Sequence, residues 1–302
     1  MNTTLKGVLL TLLAAVCWGF SGVAGEILMA DGDITSAWLV PVRLLSAGVI
    51  LIVHQFLTNK SHIFDIFKTK RDIIDLLVYS ILGIMLCQYT YFYAIQYSNA
   101  GTATVLQYIS PVIILALTCF AEKRIPHIKE TMCVAMALLG VFIIATHCNF
   151  SSFAMSKRAL VVGLISAVAV VIYTLQPVRL MQRYSSLYLL TWAFVIGGAF
   201  LAVTLKFWRF HIELNFFRLC LVAVTSVIGS IFGYALYLCG LRTIGGAKAC
   251  LICTLEPVSA AIFSAIFVHT AFTIHDIIGF SLIIITVAIL SFDKQDKNPS
   301  QI

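Results

Sequence analysis

A carboxylate beside a proline stands in a long apolar stretch near the C-terminus. Glu256 precedes Pro257 there, and a second proline, Pro111, lies 146 positions earlier in another apolar stretch. A proline inside a helix removes the hydrogen bond to the residue four positions before it, so the carbonyl groups of Gln107 and Cys253 are freed. In hydrocarbon, such groups persist only where protein or a water-filled cavity satisfies them. The two prolines therefore predict bent helices that line one central polar site.

Glu256 is the strongest candidate for chemistry. A carboxylate at the middle of a membrane costs roughly 2.5–3.5 kcal/mol on insertion scales, and it usually faces a cavity or a partner. It could carry protons or bind a cation. It could equally be a structural glutamate, protonated or hydrogen-bonded, that holds a bent helix to its neighbour. The sequence leaves both interpretations open.

Aromatic and amide side chains accompany the two prolines in the apolar stretches. Polar residues often supply hydrogen bonds between membrane helices, and most aromatic residues there pack or lie at the interface, so a purely structural role is the alternative. We nevertheless expect the following residues to line the site and bind its substrate: Trp18, Gln88, Tyr89, Tyr91, Gln107, Tyr108, Tyr173, Gln176 and Tyr237.

Arg43 lies about 13 Å from one end of the second apolar stretch by helical rise. A buried arginine needs a partner, and Glu26, towards the end of the first stretch, is the expected one. We expect Arg43 and Glu26, like the two prolines, to be structural, and we favour a clamp over a substrate-binding role for Arg43.

Two short motifs imitate enzyme sites. Gly19-Phe20-Ser21-Gly22 matches the G-x-S-G of intramembrane serine proteases, but that chemistry needs a histidine base beside the serine, and the histidines lie mostly at the ends of the apolar stretches. Cys250 and Cys253 form a C-x-x-C without a second pair. We interpret the glycines as packing residues and expect no catalytic residue, no metal and no cofactor.

The elements that must position these residues are membrane helices. Of the 302 residues, 61% are hydrophobic and 11% are charged, whereas soluble domains are about 45–50% apolar and about 25% charged. The net charge of +7 comes from basic residues in short loops, so it does not indicate nucleic acid. The nine cysteines lie almost entirely in apolar stretches, which favours buried thiols over disulfides.

Ten stretches reach the length of about 20 residues that a membrane-spanning helix needs. They lie near 5–29, 34–57, 73–95, 100–120, 127–147, 159–181, 186–207, 216–240, 245–269 and 274–292. If the N-terminus is cytoplasmic, 14 Lys and Arg residues face the cytoplasm and 5 face the other side. This bias predicts that both termini are cytoplasmic.

The chain also repeats itself. At an offset of 146, Gly83 matches Gly229, Tyr91 matches Tyr237 and Pro111 matches Pro257, while the first helices of the two halves align at an offset of 152. Residues 1–150 and 151–302 would then each contain five spans. Because five is odd, the second half enters the membrane upside down. We therefore predict an all-α integral membrane protein of ten transmembrane helices in two inverted repeats, with a site near the midplane.

At this point the chain resembles the drug/metabolite transporter superfamily, specifically its EamA-like members. The resemblance rests on the ten-span pattern and on short motifs: the 12–19 stretch ending in Trp18-Gly19, the 43–48 stretch beginning with Arg43, the 94–103 junction, and Leu255-Glu256-Pro257-Val258. The chain departs from the family pattern at Val170, where no tryptophan stands, and at Gln176-Pro177.

The resemblance implies a carrier of small metabolites, often an exporter, with a cavity lined by helices 1, 3, 4, 6, 8 and 9. We expect amino acids, amines or related solutes as substrates, protons as the coupling ion through Glu256, and alternating access in a plasma or inner membrane. The expected partners are the substrate and the lipid bilayer, with no nucleic acid, and the chain is a monomer or homodimer. The alternatives are an intramembrane enzyme built on Ser21 and a non-transporting scaffold subunit.

Overall fold

The structure is a computed structural model that describes residues 3–58, 63–121, 123–148, 155–244, 249, 252–253 and 255–295. Across these residues it is helical, with short connections and no β-strand. The predicted boundary between the two halves at 150 and 151 lies outside the described residues, as does Cys250.

Eight helices are long and apolar enough to cross a membrane, and two further apolar helices are shorter. The eight are α1 (Thr4–Met29), α2 (Ser36–Thr58), α3 (Lys70–Gln96), α4 (Ala100–Ala121), α5 (Ile128–Thr146), α6 (Lys157–Met181), α7 (Ser186–Leu205) and α8 (Phe216–Leu241). The shorter two are α9 (Leu255–Val268) and α10 (Ile274–Ile289). The start of the predicted ninth span, at 245–248, 250, 251 and 254, lies outside the described residues.

Helix α4 is interrupted where its proline predicts a bend. Its α-helical parts are Ala100–Gln107 and Ser110–Ala121, so Tyr108 and Ile109 form the turn between them. Pro111 falls in the first turn of the second part, where its missing N–H has no helical partner to lose. Helix α6 is interrupted in the same way, because its α-helical part ends at Leu175 and a new turn starts after Pro177.

Helices α3 and α8 each contain a stretch of wider turns with i→i+5 hydrogen bonds. These stretches are Tyr79–Met85 in α3 and Val224–Phe232 in α8. An inserted residue of this kind rotates the face that the following turns present, and such turns are frequent at functional sites. Here the turns that follow them supply residues to the central cavity described below.

The ten helices form two groups of three helices and two further pairs. Helices α1, α8 and α9 form the first group, and helices α3, α4 and α6 form the second. The pairs α2·α7 and α5·α10 pack alongside them. Helix α4 also contacts α9, so the two groups meet at the broken helix and the second proline helix.

Ion pairs mark the opposite ends of the helices. At one end the buried Asp72 carboxylate accepts hydrogen bonds from Arg179 at 2.6 Å and Arg183 at 2.7 Å. At the other end Arg218 donates to Asp33 at 2.9 Å. We call these the Asp72 end and the Arg218 end. Each cluster joins two helices of one group, namely the start of α3 to the end of α6, or the start of α8 to the connection after α1.

The α2·α7 contact depends on glycine. A Cβ at Gly48 would lie 2.8 Å from Cγ2 of Val195, and one at Gly198 would lie 3.0 Å from Cβ of Leu44. The two contacts are reciprocal, since each helix presents a glycine to the branched side chains of the other. Close backbone approach through small residues is a usual way for membrane helices to associate.

We expect Gly48→Leu to destabilise the protein by about 1–3 kcal/mol, because an overpacked side chain forces the helices apart. The measurement is the apparent Tm of the purified protein in detergent. Val49→Leu is the matched control, since Val49 is 55% exposed and the change should leave Tm nearly unaltered. Equal Tm values for the two variants would contradict the proposed contact.

Candidate functional site

A polar cavity of about 60 Å³ lies between the two groups of helices. Six of the ten helices contribute one to three residues each, and α2 contributes one more. The lining residues are Trp18, Ser21, Arg43, Cys87, Gln88, Tyr91, Gln107, Tyr173, Tyr234 and Glu256. Helices 1, 3, 4, 6, 8 and 9, which the family resemblance implies, all contribute.

The structure brings together only part of the predicted set. Trp18, Gln88, Tyr91, Gln107 and Tyr173 line the cavity with Glu256. The remaining four predicted residues do not line it.

Each of these four residues has another position in the packing. Tyr89 packs beside Tyr93, with ring centroids 6.0 Å apart, and Tyr237 packs behind Trp18 at 5.4 Å. Gln176 lies in the break of α6. Tyr108 lies in the break of α4, where it contacts Glu256 rather than the cavity itself.

Glu256 is held by the residue that breaks α4. The Tyr108 hydroxyl lies 3.1 Å from Oε2 of Glu256 and donates a short hydrogen bond to the carbonyl oxygen of Cys253. That carbonyl is the one that Pro257 leaves without an intrahelical donor. The freed carbonyl of Cys253 therefore has a hydrogen-bond donor in Tyr108, which belongs to the other group of helices.

Arg43 reaches the cavity from α2. Its side chain is 3% exposed, its Nε donates to the Ser230 hydroxyl at 2.8 Å, and its guanidinium lies 4.7 Å from the centre of the Phe92 ring. A buried charge needs such polar and aromatic contacts to offset its lost hydration. Arg43 and Glu256 thus place a guanidinium and a carboxyl group on the same small cavity.

The expected partner of Arg43 was wrong. The Glu26 carboxylate accepts hydrogen bonds from the backbone N–H of Ala100 at 2.9 Å and from the Ser264 hydroxyl at 2.9 Å. The sequence placed both residues towards one membrane face but could not give their directions around the helix axes. The base nearest to Glu256 in the cavity wall comes from α2 and was not anticipated.

Gln107 belongs to a local network within the second group. Its Nε2 donates to the Ser166 hydroxyl at 2.7 Å and lies 3.2 Å from the Cys87 sulfur. Ser166 in turn donates to the backbone carbonyl of Cys87 at 3.3 Å. This network joins α4, α6 and α3 and orients the Gln107 amide at the cavity wall.

Sequence reasoning missed Ser21, Cys87 and Tyr234 as lining residues. Two signals could have found Tyr234 and Cys87. Tyr234 stands 146 positions after Gln88, and the two side chains meet in the cavity wall, with Gln88 Nε2 at 3.4 Å from the Tyr234 hydroxyl. Cys87 precedes Tyr91 by one helical turn, which places it on the same face.

Ser21, the serine of the G-x-S-G motif, makes contacts with a neighbouring helix. Ser21 Oγ lies 3.5 Å from the carbonyl oxygen of Thr225, and a Cβ at Gly22 would lie 2.6 Å from the Tyr91 hydroxyl. Among the described residues there is no group of three or more His, Cys, Asp or Glu side chains placed to hold a metal ion.

One donor in the cavity wall is unused by the protein. The indole N–H of Trp18 is buried and has no hydrogen-bond partner among the described residues. With Arg43, Glu256 and four aromatic rings around it, the cavity offers an anion-binding group, a cation-binding group and a free donor. A small polar molecule that carries both charges would be complementary to it.

Comparison with known proteins shows which family this chain resembles. The model of the EamA-like transporter family matches residues 5–146 and again residues 157–292. An uncharacterized inner membrane transporter, YicL of Salmonella typhimurium, is 36% identical over 297 residues, which cover 98% of this chain and 99% of its own. An uncharacterized transporter, sll1319 of Synechocystis, is 20% identical over 318 residues, covering 97% and 95%.

A solved crystal structure is similar in fold. It covers 97% of this chain and 99% of its own, with a TM-score of 0.62 and 16% sequence identity. Together the apolar helices, the charged cavity and these likenesses define a multi-pass membrane transporter. The chain belongs to the EamA-like transporter family.

Arg43→Lys should lower the stability of the protein by about 1–2 kcal/mol. Lysine keeps the charge but cannot both donate to Ser230 and lie flat against Phe92. The apparent Tm in detergent measures the effect, and Arg209→Lys, an exposed position after α7, is the control. If Arg43→Lys keeps its Tm and loses only solute binding, Arg43 serves the substrate rather than the fold.

Proposed function

We propose that the protein is a secondary transporter that exports small solutes by alternating access around the cavity described above. The observation that carries the proposal is that Arg43 and Glu256 both line one cavity, beside the indole N–H of Trp18, which has no partner among the described residues. Buried groups of this kind are expensive in a membrane unless they serve a pathway or a site. Membership of a transporter family supports the same reading.

We propose that ten helices cross the membrane in two inverted repeats, residues 1–150 and 151–302. Three features support this arrangement. The wide-turn stretches Tyr79–Met85 and Val224–Phe232 overlap at the offset of 146. The two family-model matches divide the chain in the same place. The α2·α7 contact is reciprocal, as an isologous contact about a two-fold axis must be.

The packing of α1, α3, α6 and α8 supports the same symmetry. A Cβ at Gly83 would meet Tyr173, and a Cβ at Gly229 would meet Ser21. The offset of 146 between α3 and α8 relates Gly83 to Gly229, and the offset of 152 between α1 and α6 relates Ser21 to Tyr173. The two contacts are therefore equivalent under the repeat. Gln88 and Tyr234 occupy equivalent positions at the offset of 146, and their side chains are in contact. Two equivalent residues can meet in this way only beside the two-fold axis. The cavity would thus lie on the pseudo-two-fold.

The proposed substrates are small solutes with an ammonium group, a carboxylate or both, such as amino acids and amines. An arginine is suited to a carboxylate, while Glu256 and the aromatic rings are suited to an ammonium group. A volume of about 60 Å³ is well below the ~300 Å³ at which ligand sites usually begin. The cavity must therefore widen to admit such a solute, which a moving pair of helix groups would allow.

Purified protein in liposomes tests the function directly. A transporter should move radiolabelled amino acids or amines across the bilayer in proportion to protein, with protons as the proposed driving ion. Conversion of the solute would favour the enzyme hypothesis built on Ser21. No flux and no conversion for any tested solute would favour a scaffold subunit.

The topology should place both termini in the cytoplasm. The prediction follows from the 14-to-5 distribution of Lys and Arg. Reporter fusions after Asp33 and after Lys294 should then report opposite sides of the membrane. Both reporters on one side would refute the ten-span arrangement.

Glu256→Gln should fold normally and lose proton-driven flux. Glutamine keeps the size and the contact with Tyr108 but fixes the neutral state, so solute exchange at equal pH should survive. Initial rates of uptake and exchange in liposomes, with and without a pH gradient, measure the difference. Asp33→Asn is the control, because its exposed carboxylate pairs with Arg218 far from the cavity. An unchanged response to the gradient in Glu256→Gln would make Glu256 structural.

A further inference from the structure

Glu26 joins four elements at the Arg218 end. Its carboxylate accepts hydrogen bonds from the backbone N–H of Ala100 at 2.9 Å, from the Ser264 hydroxyl at 2.9 Å and from the Thr270 hydroxyl at 3.3 Å. Ser264 and Thr270 are also hydrogen-bonded to each other at 2.8 Å. We call these four residues the Glu26 cluster. It ties the end of α1 to the start of α4, the end of α9 and the connection to α10.

The Glu26 cluster lies between the cavity and the Arg218 end. On α1, Glu26 is five residues beyond the cavity residue Ser21, or about 8 Å by helical rise. On α4, Ala100 is about 10 Å from Gln107, and on α9, Ser264 is about 12 Å from Glu256. From the cavity, α1, α4 and α9 thus all run towards the Arg218 end, where they meet at the Glu26 carboxylate.

Only one hydrogen bond of the cluster crosses between the two groups of helices. Glu26 and Ser264 both belong to the first group, whereas Ala100 belongs to the second. A carboxylate that accepts a backbone N–H at a helix start is a strong, charge-assisted contact. The bond from Ala100 therefore fastens the second group to the first at this end.

A second crossing contact lies on the other side of the cavity. Tyr108 belongs to the second group and bonds Cys253 and Glu256 of the first. Tyr108 and Cys253 lie on the Asp72-end side of Gln107 and Glu256 in their helices. The cavity is thus bracketed by two hydrogen-bonded contacts between the groups, one towards each end.

We propose that Glu26 is the gating residue of the Arg218 end: its bond to Ala100 closes that mouth, and opening the cavity towards that end breaks this bond while the Tyr108 contact holds. The proposal rests on the alternating access proposed above. The gate is specific to one end, because the position 152 residues after Glu26 is Val178, which is 53% exposed and cannot accept a hydrogen bond through its side chain.

Cys87 reports access to the cavity. It lines the cavity and is 6% exposed. A membrane-impermeant methanethiosulfonate reagent is added outside vesicles that contain the full-length protein, and peptide mass spectrometry follows modification at Cys87 alone. The exposed Cys148, at the end of α5, lies at the Arg218 end and identifies the molecules whose Arg218 end faces the reagent.

We expect Glu26→Ala to raise the rate of Cys87 modification from the Arg218 end by at least about tenfold, since hydrogen bonds to charged groups shift equilibria by that factor or more. Tyr108→Phe should raise the rate from the Asp72 end and not from the Arg218 end. Asp33→Ala, which removes another carboxylate at the Arg218 end, should change neither rate.

An unchanged Cys87 rate in folded Glu26→Ala, or an equal increase from both ends, would overturn the proposal. If Glu26→Ala does not fold, Ser264→Ala decides, because it removes one donor from Glu26 and should give a smaller increase at the same end. Solute flux is measured in the same vesicles. Flux without a change at Cys87 rejects the gate alone, whereas an end-specific change without flux in the native chain rejects the transport function alone.

Discussion

The hydrogen bond from Tyr108 to the carbonyl of Cys253 is the contact on which the site depends. Pro257 deprives that carbonyl of its helical donor, and hydrocarbon offers no water to replace it. The replacement donor is Tyr108, which lies in the break of α4. The break in α4 thus supplies the hydrogen bond that Pro257 removes from α9. The same hydroxyl touches Glu256. One tyrosine therefore joins the two groups of helices and positions the carboxyl group that lines the cavity.

A guanidinium and a carboxyl group share the cavity wall. Arg43 is almost fully buried and relies on Ser230 and Phe92, while Glu256 relies on Tyr108. In a medium of low dielectric, opposite charges interact more strongly than in water, although burial of each still opposes ionisation. Under the proposed function, a solute that carries both charges would place its carboxylate at Arg43 and its ammonium group at Glu256.

The packing of the helices is more symmetric than the set of polar side chains that it positions. Gly48 and Gly198 make matching contacts, and the wide turns of α3 and α8 overlap at one offset. Yet Gln88 faces its mate Tyr234, and Val178 stands at the position that corresponds to Glu26. In the proposed inverted repeat, this packing would allow the two groups of helices to move equivalently in either direction. The different polar residues at equivalent positions would then make the two ends of the cavity respond to different groups.

The sequence alone determined the apolar helices, the break in α4 and the charged candidate. Hydrophobic length decides which stretches can span a bilayer, proline acts on its own helix, and a lone carboxylate such as Glu256 is visible in any apolar stretch. These properties are local, so no partner is needed to read them.

Only the tertiary structure decided which side chains meet. It placed Arg43 against Ser230 and not Glu26, brought Tyr234 into the wall, and gave Tyr108 a backbone partner 145 positions away. Those contacts depend on how far each helix is rotated about its axis and where it crosses its neighbours. A few inserted residues, such as the wide turns in α3 and α8, change that rotation without changing the hydrophobic pattern, which is why the pattern could not reveal it.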